Sequence, residues 1–320
     1  MATKNPQEQV SAMVQSETTD GSVSAEVPQA DPLDIIDLPS GKPLNDSAAT
    51  ALSKSRAVKW VVIAGPVGAG KTTLLATLYE LFQSGPINGC RFAGSNTLPA
   101  FEEICHLSRM ESGNMNPETG RTLYKEGNPS YLHLRLNLDI AAGKFTDLLF
   151  TDVSGEMFED IRDSEKSSKD LVFLRRANYF LLLLDGKKCM RPDQRHKVVQ
   201  DGKTILQACF DGEMLSKECV VKVVWSKFDY FRNAGDTQEH KKFRQETDAR
   251  FSAAFSSKTK DLRFGCLASR PTEFDLEFGH GVNDLLAEWV GLGAQSDAMS
   301  LAPQIRGKRE IELFARRMQE

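Results

Sequence analysis

The sequence predicts a three-layer α/β fold: a mostly parallel central sheet with one antiparallel strand, and helices on both faces. Three observations predict it. Short apolar runs alternate with segments of helical period from Val58 onward, the pattern of strands crossed over by helices. Leu132, Leu134, Leu136 and Leu138 alternate with polar positions, as in a half-buried strand. An Ala-Gly turn then leads into Phe145 to Asp152, so these two segments should pair antiparallel.

The elements follow in order. Val58 to Ala64 (VKWVVIA) is a β-rich run, and Leu74, Leu75, Leu78, Leu81 and Phe82 have helical spacing, closed by Gly85-Pro86. Residues 86 to 130 are polar and irregular, with a short helix from Leu98 to Met110. After the antiparallel pair, Tyr179 to Leu184 and Cys219 to Trp225 are buried strands, separated by a helix from Lys197 to Phe210. Lys241 to Ser256 is helical, and Leu262 to Leu267 is the last central strand. Val282, Leu285, Leu286, Trp289 and Val290 share one helical face. A polar linker then leads to an amphipathic segment, Arg306 to Gln319, carrying Arg306, Lys308, Arg309, Arg316 and Arg317. No internal repeat is present.

Composition narrows the function classes. The net charge of −4 offers no global basic field for nucleic acid or a membrane. Acid is concentrated early: Glu8, Glu17, Asp20, Glu26, Asp31, Asp34, Asp37 and Asp46 stand against Lys4 and Lys42. Residues 1–52 are too polar to offset their ordering entropy, so they read as a disordered acidic arm, interrupted by the apolar knot Pro32 to Pro39. Residues 53–294 form the folded domain, and 295–320 a linker and C-terminal helix. The cysteines at 90, 105, 189, 209, 219 and 266 lack any metal-ligand spacing, as expected of free thiols in a reducing compartment. The first residues carry no apolar signal region, and the longest apolar stretch, Phe180 to Leu184, is far short of the roughly 20 residues that span a bilayer. A cytoplasmic protein without a transmembrane segment is expected.

Gly65-Pro66-Val67-Gly68-Ala69-Gly70-Lys71-Thr72 matches G-x-x-x-x-G-K-[ST] and stands between a strand and a helix. Glycines let backbone N–H groups turn inward around phosphates where a Cβ would clash. Lys71 supplies a point charge to the β- and γ-phosphates, and the Thr72 hydroxyl is a ligand for Mg²⁺. Thr73 continues the cradle into a helix whose N-terminus favours anions.

The loop does not choose the nucleotide. Ser226-Lys227-Phe228-Asp229 ends the Cys219 to Trp225 strand, and a carboxylate there accepts both N1–H and the 2-amino group of guanine. Adenine has no 2-amino group and presents a lone pair at N1, so the acid would be left unpaired, a cost large enough for strong discrimination. The Lys227 stem would lie along the base and tie this loop to the phosphate loop. In the Gly265 to Arg270 turn, Ala268 or Ser269 is placed to offer an N–H to guanine O6.

Taken together, GPVGAGKT, TDVSGE, SKFD and CLAS resemble the P-loop GTPases from Val58 to Val290. FAGSNTLPAFEE, SYLHLRL and LLFTDVSGE resemble, more narrowly, the bacterial double-GTPase families, components of multi-gene conflict systems. The resemblance implies the three-layer P-loop GTPase fold, GTP binding and switching, and no known partner. It puts Asp152 on Mg²⁺ through a water and the Gly155 N–H on the γ-phosphate, with loss of that phosphate releasing the loop. It also requires a threonine that closes over the metal: Thr122 is the choice, with Thr119 and Thr97 behind it. Arg121 beside it is a candidate arginine finger in cis.

The sequence departs from that pattern at Ser226, where Asn or Thr is usual, and at Glu156. A carboxylate beside a polyanionic γ-phosphate has its pKa raised, and it cannot donate to the phosphate as a Gln amide does, so Glu156 is either a catalytic residue that accepts from the attacking water or a surface bystander of the switch. Slow hydrolysis, helped by a protein effector or a second GTPase molecule, is the leading expectation. A GTP-loaded scaffold without turnover and an ATP-dependent P-loop enzyme such as a kinase are the alternatives.

Overall fold

In the computed structural model β1 (Val58–Ala64) is the middle strand of a seven-stranded sheet, ordered β2-β3-β4-β1-β5-β6-β7. The structure describes residues 40–110, 129–139, 142–152, 155, 157–158, 171–272 and 275–292. The remaining strands are β2 (Arg91–Gly94), β3 (Ser130–Asp139), β4 (Lys144–Asp152), β5 (Tyr179–Asp185), β6 (Val220–Ser226) and β7 (Asp261–Cys266). β3 is antiparallel to both neighbours, while β4, β1, β5, β6 and β7 are mutually parallel. β3 is therefore the one reversed strand, as the alternating leucines and the turn predict.

Alternation along the strands makes two cores. Trp60, Val62, Ala64, Tyr131, Leu149, Leu182 and Val223 point to one face, and Val61, Ile63, Leu132, Leu148, Phe150, Leu181 and Val224 to the other. The first core is covered by α1 (Asp46–Ser55), a 3₁₀ turn at Val172–Arg176, α5 (Pro192–Asp211) and α7 (Gln238–Phe255). The second is covered by α2 (Lys71–Ser84), α3 (Leu98–Met110) and α8 (Val282–Val290). Two short helices, α4 (Gly186–Cys189) and α6 (Asp229–Asn233), follow the ends of β5 and β6. Each central strand is thus buried on both sides, the reason it reads as a continuous apolar run.

Three elements differ from expectation. Position 52, where composition ends the acidic arm, falls inside α1. Asn45 Oδ1 caps this helix through Ala48 N at 2.9 Å, Leu44 and Tyr131 exchange backbone hydrogen bonds, and Arg176 reaches Thr50 Oγ1 at 2.8 Å. Its stability comes from tertiary contacts that a Ser/Ala/Thr-rich segment does not advertise. β2 is a four-residue edge strand paired to β3 across a bulge between Phe92 and Gly94, within the stretch read as irregular. β7 is likewise an edge strand rather than a central one. The arm up to residue 39, the Pro32 to Pro39 knot and the Arg306 to Gln319 segment lie outside the described residues.

All six cysteines are free, five of them buried and Cys266 partly so. Burial pushes the thiols of Cys189, Cys209 and Cys219 up to about 12 and that of Cys266 to about 11. Among the described residues no helix is long and apolar enough to cross a membrane, and no His/Cys/Asp/Glu group is arranged to hold a metal ion.

Where α7 meets β6, the Trp225 indole donates to Asp248 Oδ1 at 3.1 Å. Burial nevertheless pushes the Asp248 carboxyl up from 3.8 to about 6. The native chain thus holds a proton between those values that the unfolded chain has released, so stability falls as pH rises through this window. Asp248→Asn keeps an acceptor for the indole and removes the charge. It is expected to raise the melting temperature at pH 7.5, with the difference vanishing by pH 4; an unchanged difference across that range refutes the assignment.

Candidate functional site

The chain leaves β1 to build β2–β4 on one side, then returns to build β5–β7 on the other. The carboxyl end of β1 is therefore the topological switch point, where open α/β sheets bind ligands. Five segments gather along that edge: Gly65–Thr72 after β1, Asp152 and Gly155 at β4, Asp185 at β5, Ser226–Asp229 at β6, and Ala268–Ser269 after β7.

The first of these turns as its glycines allow. Gly65, Gly68 and Gly70 have φ of 148°, 78° and 96°, in the region L side chains rarely adopt. At Gly65 a Cβ would also meet the Leu183 carbonyl oxygen at 3.0 Å. Ala69 N donates to the Pro66 carbonyl at 3.2 Å and Leu74 N to the Gly70 carbonyl at 2.9 Å, closing the loop into α2. Lys71 Nζ lies 2.8 Å from the Gly65 oxygen and 3.1 Å from the Pro66 oxygen, so its charge sits over the loop. Thr72 and Thr73 occupy the first turn of α2.

Gly155 rests directly on this loop. A Cβ built there would lie 2.4 Å from Val67 N, 2.6 Å from Pro66 C and 2.7 Å from Val67 Cα, all backbone atoms. Thr151 Oγ1 accepts from Ile63 N at 3.3 Å and fastens the end of β4 to β1. The glycine of the D-x-x-G motif and the phosphate loop are in contact.

On the other side of β1 the SKFD loop is built by close packing. A Cβ at Gly186 would meet the Ser226 oxygen at 2.5 Å. Ser226 is buried, and its hydroxyl donates to the Leu184 carbonyl at 3.1 Å, which fixes β6 to β5. Lys227 has φ of 52°, and its Nζ lies 2.9 Å from Asp185 Oδ2. Its charge therefore rests on the end of β5. Asp229 is 2% exposed and accepts at Oδ2 from Thr272 N at 3.2 Å and Thr272 Oγ1 at 3.1 Å. Of the two candidate O6 donors, Ala268 gives its N–H to the His280 carbonyl at 3.0 Å. Ser269, beside it, is buried and accepts from Gly279 N at its carbonyl.

Thr97 has another occupation. It is buried, its Oγ1 accepts from His133 N at 2.9 Å, and it braces the β2–α3 turn against β3, so it is no metal ligand. Glu156, Arg121, Thr122 and Thr119 lie outside the described residues, and Asp152 is described only as the last residue of β4.

The model of the Double-GTPase 2 family matches residues 59–290. The chain belongs to the double-GTPase family. No curated protein matches it. Family membership makes this a P-loop GTPase, with the guanine nucleotide as its implied ligand.

The double-GTPase site contains residues that motif reading passed over. Asp185 is 1% exposed in its side chain, pairs with Lys227 and caps α4 by accepting from Lys188 N at 3.2 Å. Removing Lys227 would strand the buried Asp185 carboxylate. A carboxylate ending an apolar run was the available signal. Arg244 grips Asp236 through two bonds of 2.7 and 3.1 Å and lies over the Phe228 and Phe231 rings at 5.1 and 4.7 Å. It stiffens the loop from behind, and nothing in the local sequence announces it. Below the site, buried His133 accepts from Asn96 N at Nδ1 (3.0 Å), so its Nε2–H faces Asp147 Oδ1 at 2.9 Å. Burial lowers the His133 pKa against the pull of Asp147, and the neutral tautomer fits these partners.

Proposed function

We propose that this double-GTPase protein is a GTP-binding regulatory switch that hydrolyses GTP slowly, assisted by a protein effector or a second GTPase molecule. The contact of Gly155 with the Pro66–Val67 backbone carries the reading. A segment seated on the phosphate loop senses whether a γ-phosphate is there. In this reading Gly65 to Thr73 cradle the phosphates, with the Lys71 charge on the β- and γ-oxygens. Asp229 reads the N1–H and 2-amino edge, the Ser269 N–H is the donor left for O6, and Ser226 and Lys227 shape the loop.

Mg²⁺ fits the donor set, since the Thr72 hydroxyl and Thr122 would offer hard oxygen ligands directly and the Asp152 carboxylate would reach the ion through a water. Bound there, Mg²⁺ would supply positive charge that offsets the charge developing on the phosphates. The GTPase domain in this reading is residues 53–294 extended at its start by α1, with the acidic arm before it and the basic Arg306 to Gln319 segment left to recruit partners. Free, buried thiols suit a cytoplasmic setting, and a place in a bacterial conflict system follows from the family resemblance. No role on nucleic acid is proposed.

Glu156 tests the hydrolytic half. An amide both accepts from the attacking water and donates to the γ-phosphate, whereas a carboxylate only accepts. In single-turnover phosphate release with saturating Mg²⁺, Glu156→Gln is therefore expected to cleave at least as fast as the parent. A large loss in both Glu156→Gln and Glu156→Ala makes the carboxylate an essential water-positioner. A parent that binds GTP and releases no phosphate is instead a loaded scaffold.

A further inference from the structure

Asp229 is held by a residue outside every motif. Both Thr272 donors go to one oxygen, Oδ2, at 3.2 and 3.1 Å. Thr272 Oγ1 in turn accepts from Asn233 Nδ2 at 3.1 Å. Asn233 ends α6, the helix that Asp229 begins, so Thr272 bridges the two ends of one short helix. The order of donation is fixed. The Asn233 amide occupies an oxygen lone pair of Thr272, and the hydroxyl proton points at the carboxylate.

Capacity and direction both matter here. An ionised carboxylate offers about four lone-pair sites. Thr272 fills two of them on a single oxygen and leaves two, the number that the N1–H and 2-amino donors of guanine require. Terminal torsions of Asp are broad and soft, so a carboxylate without this bracing rotates. Rotation would let it satisfy one base donor well, but not two at once.

We propose that Thr272, oriented by Asn233, is a positioning residue that sets guanine selectivity by fixing the plane of the Asp229 carboxylate. This rests on the reading of Asp229 as the guanine-binding acid. It predicts a signature that a merely structural role would not produce. Inosine diphosphate lacks the 2-amino group and needs one bond from Asp229, whereas GDP needs two. Loosening the carboxylate should therefore weaken GDP selectively.

The test is calorimetric titration of the full chain with GDP and with inosine diphosphate. Thr272→Val keeps the side-chain shape and the backbone N–H and removes the hydroxyl donor. It is expected to weaken GDP about tenfold, the value of one hydrogen bond to a charged group. Inosine diphosphate should change little, so the ratio of the two affinities narrows. Thr272→Ser should restore the ratio, and Asn233→Ala should narrow it in part. Equal weakening of both nucleotides, an unchanged ratio, or tighter GDP binding would each overturn the proposal. A parent that does not prefer GDP to inosine diphosphate, or whose preference survives Asp229→Asn, refutes the Asp229 reading itself.

Discussion

Asp229→Asn is expected to weaken GDP binding by roughly two to three orders of magnitude and to make xanthosine diphosphate the better ligand. The proposed role has the carboxylate accept from two guanine donors, and hydrogen bonds to a charged group contribute about 1.5–3 kcal/mol each. An asparagine amide still accepts from N1–H, but it places a donor against the 2-amino group. Xanthine carries an oxygen there and turns the mismatch into a bond. The side chain is almost fully buried, so water cannot compensate for the lost partner. Titration of parent and variant with both diphosphates measures the exchange. Retained GDP preference in the variant would mean that the base is read elsewhere.

Gly155→Ala is the second large effect. Its new methyl would fall 2.4 to 2.7 Å from three backbone atoms of Pro66 and Val67. Rotamer changes cannot relieve a clash with backbone, so the segment or the phosphate loop must move. Overpacking of this kind costs about 1–3 kcal/mol, or roughly a fivefold to hundredfold change in an equilibrium constant. Because the segment is proposed to sense the γ-phosphate, the loss should fall on a non-hydrolysable GTP analogue, with GDP nearly unaffected. An equal loss of both ligands would show a damaged phosphate loop, and no loss at all would show that Gly155 does not seat there when nucleotide binds.

Much of this was legible in the sequence, for a physical reason. β1, β5 and β6 are buried on both faces, so their apolar runs mark them directly, and the G-x-x-x-x-G-K-[ST] spacing encodes its own turn through glycine φ. Less legible were elements held by distant partners. α1 owes its place to Tyr131 and Arg176, and β2 is an edge strand on β3. In the candidate site, Asp229 is proposed from base chemistry, but its partner Thr272 lies 43 positions away and Asp185 sits on another strand. The partner of the Ala268 N–H was not legible either, because a backbone N–H can be claimed by any carbonyl that folding brings near, here that of His280.

The cysteines have a practical consequence. With thiol pKa values of about 11 to 12 at four of the six, roughly one such group in ten thousand or fewer is a thiolate at neutral pH. Electrophilic dyes will thus largely ignore these native sulfurs. A single cysteine engineered onto the surface will take a maleimide fluorophore preferentially, which gives optical access to motions of the nucleotide loops in an otherwise unaltered chain.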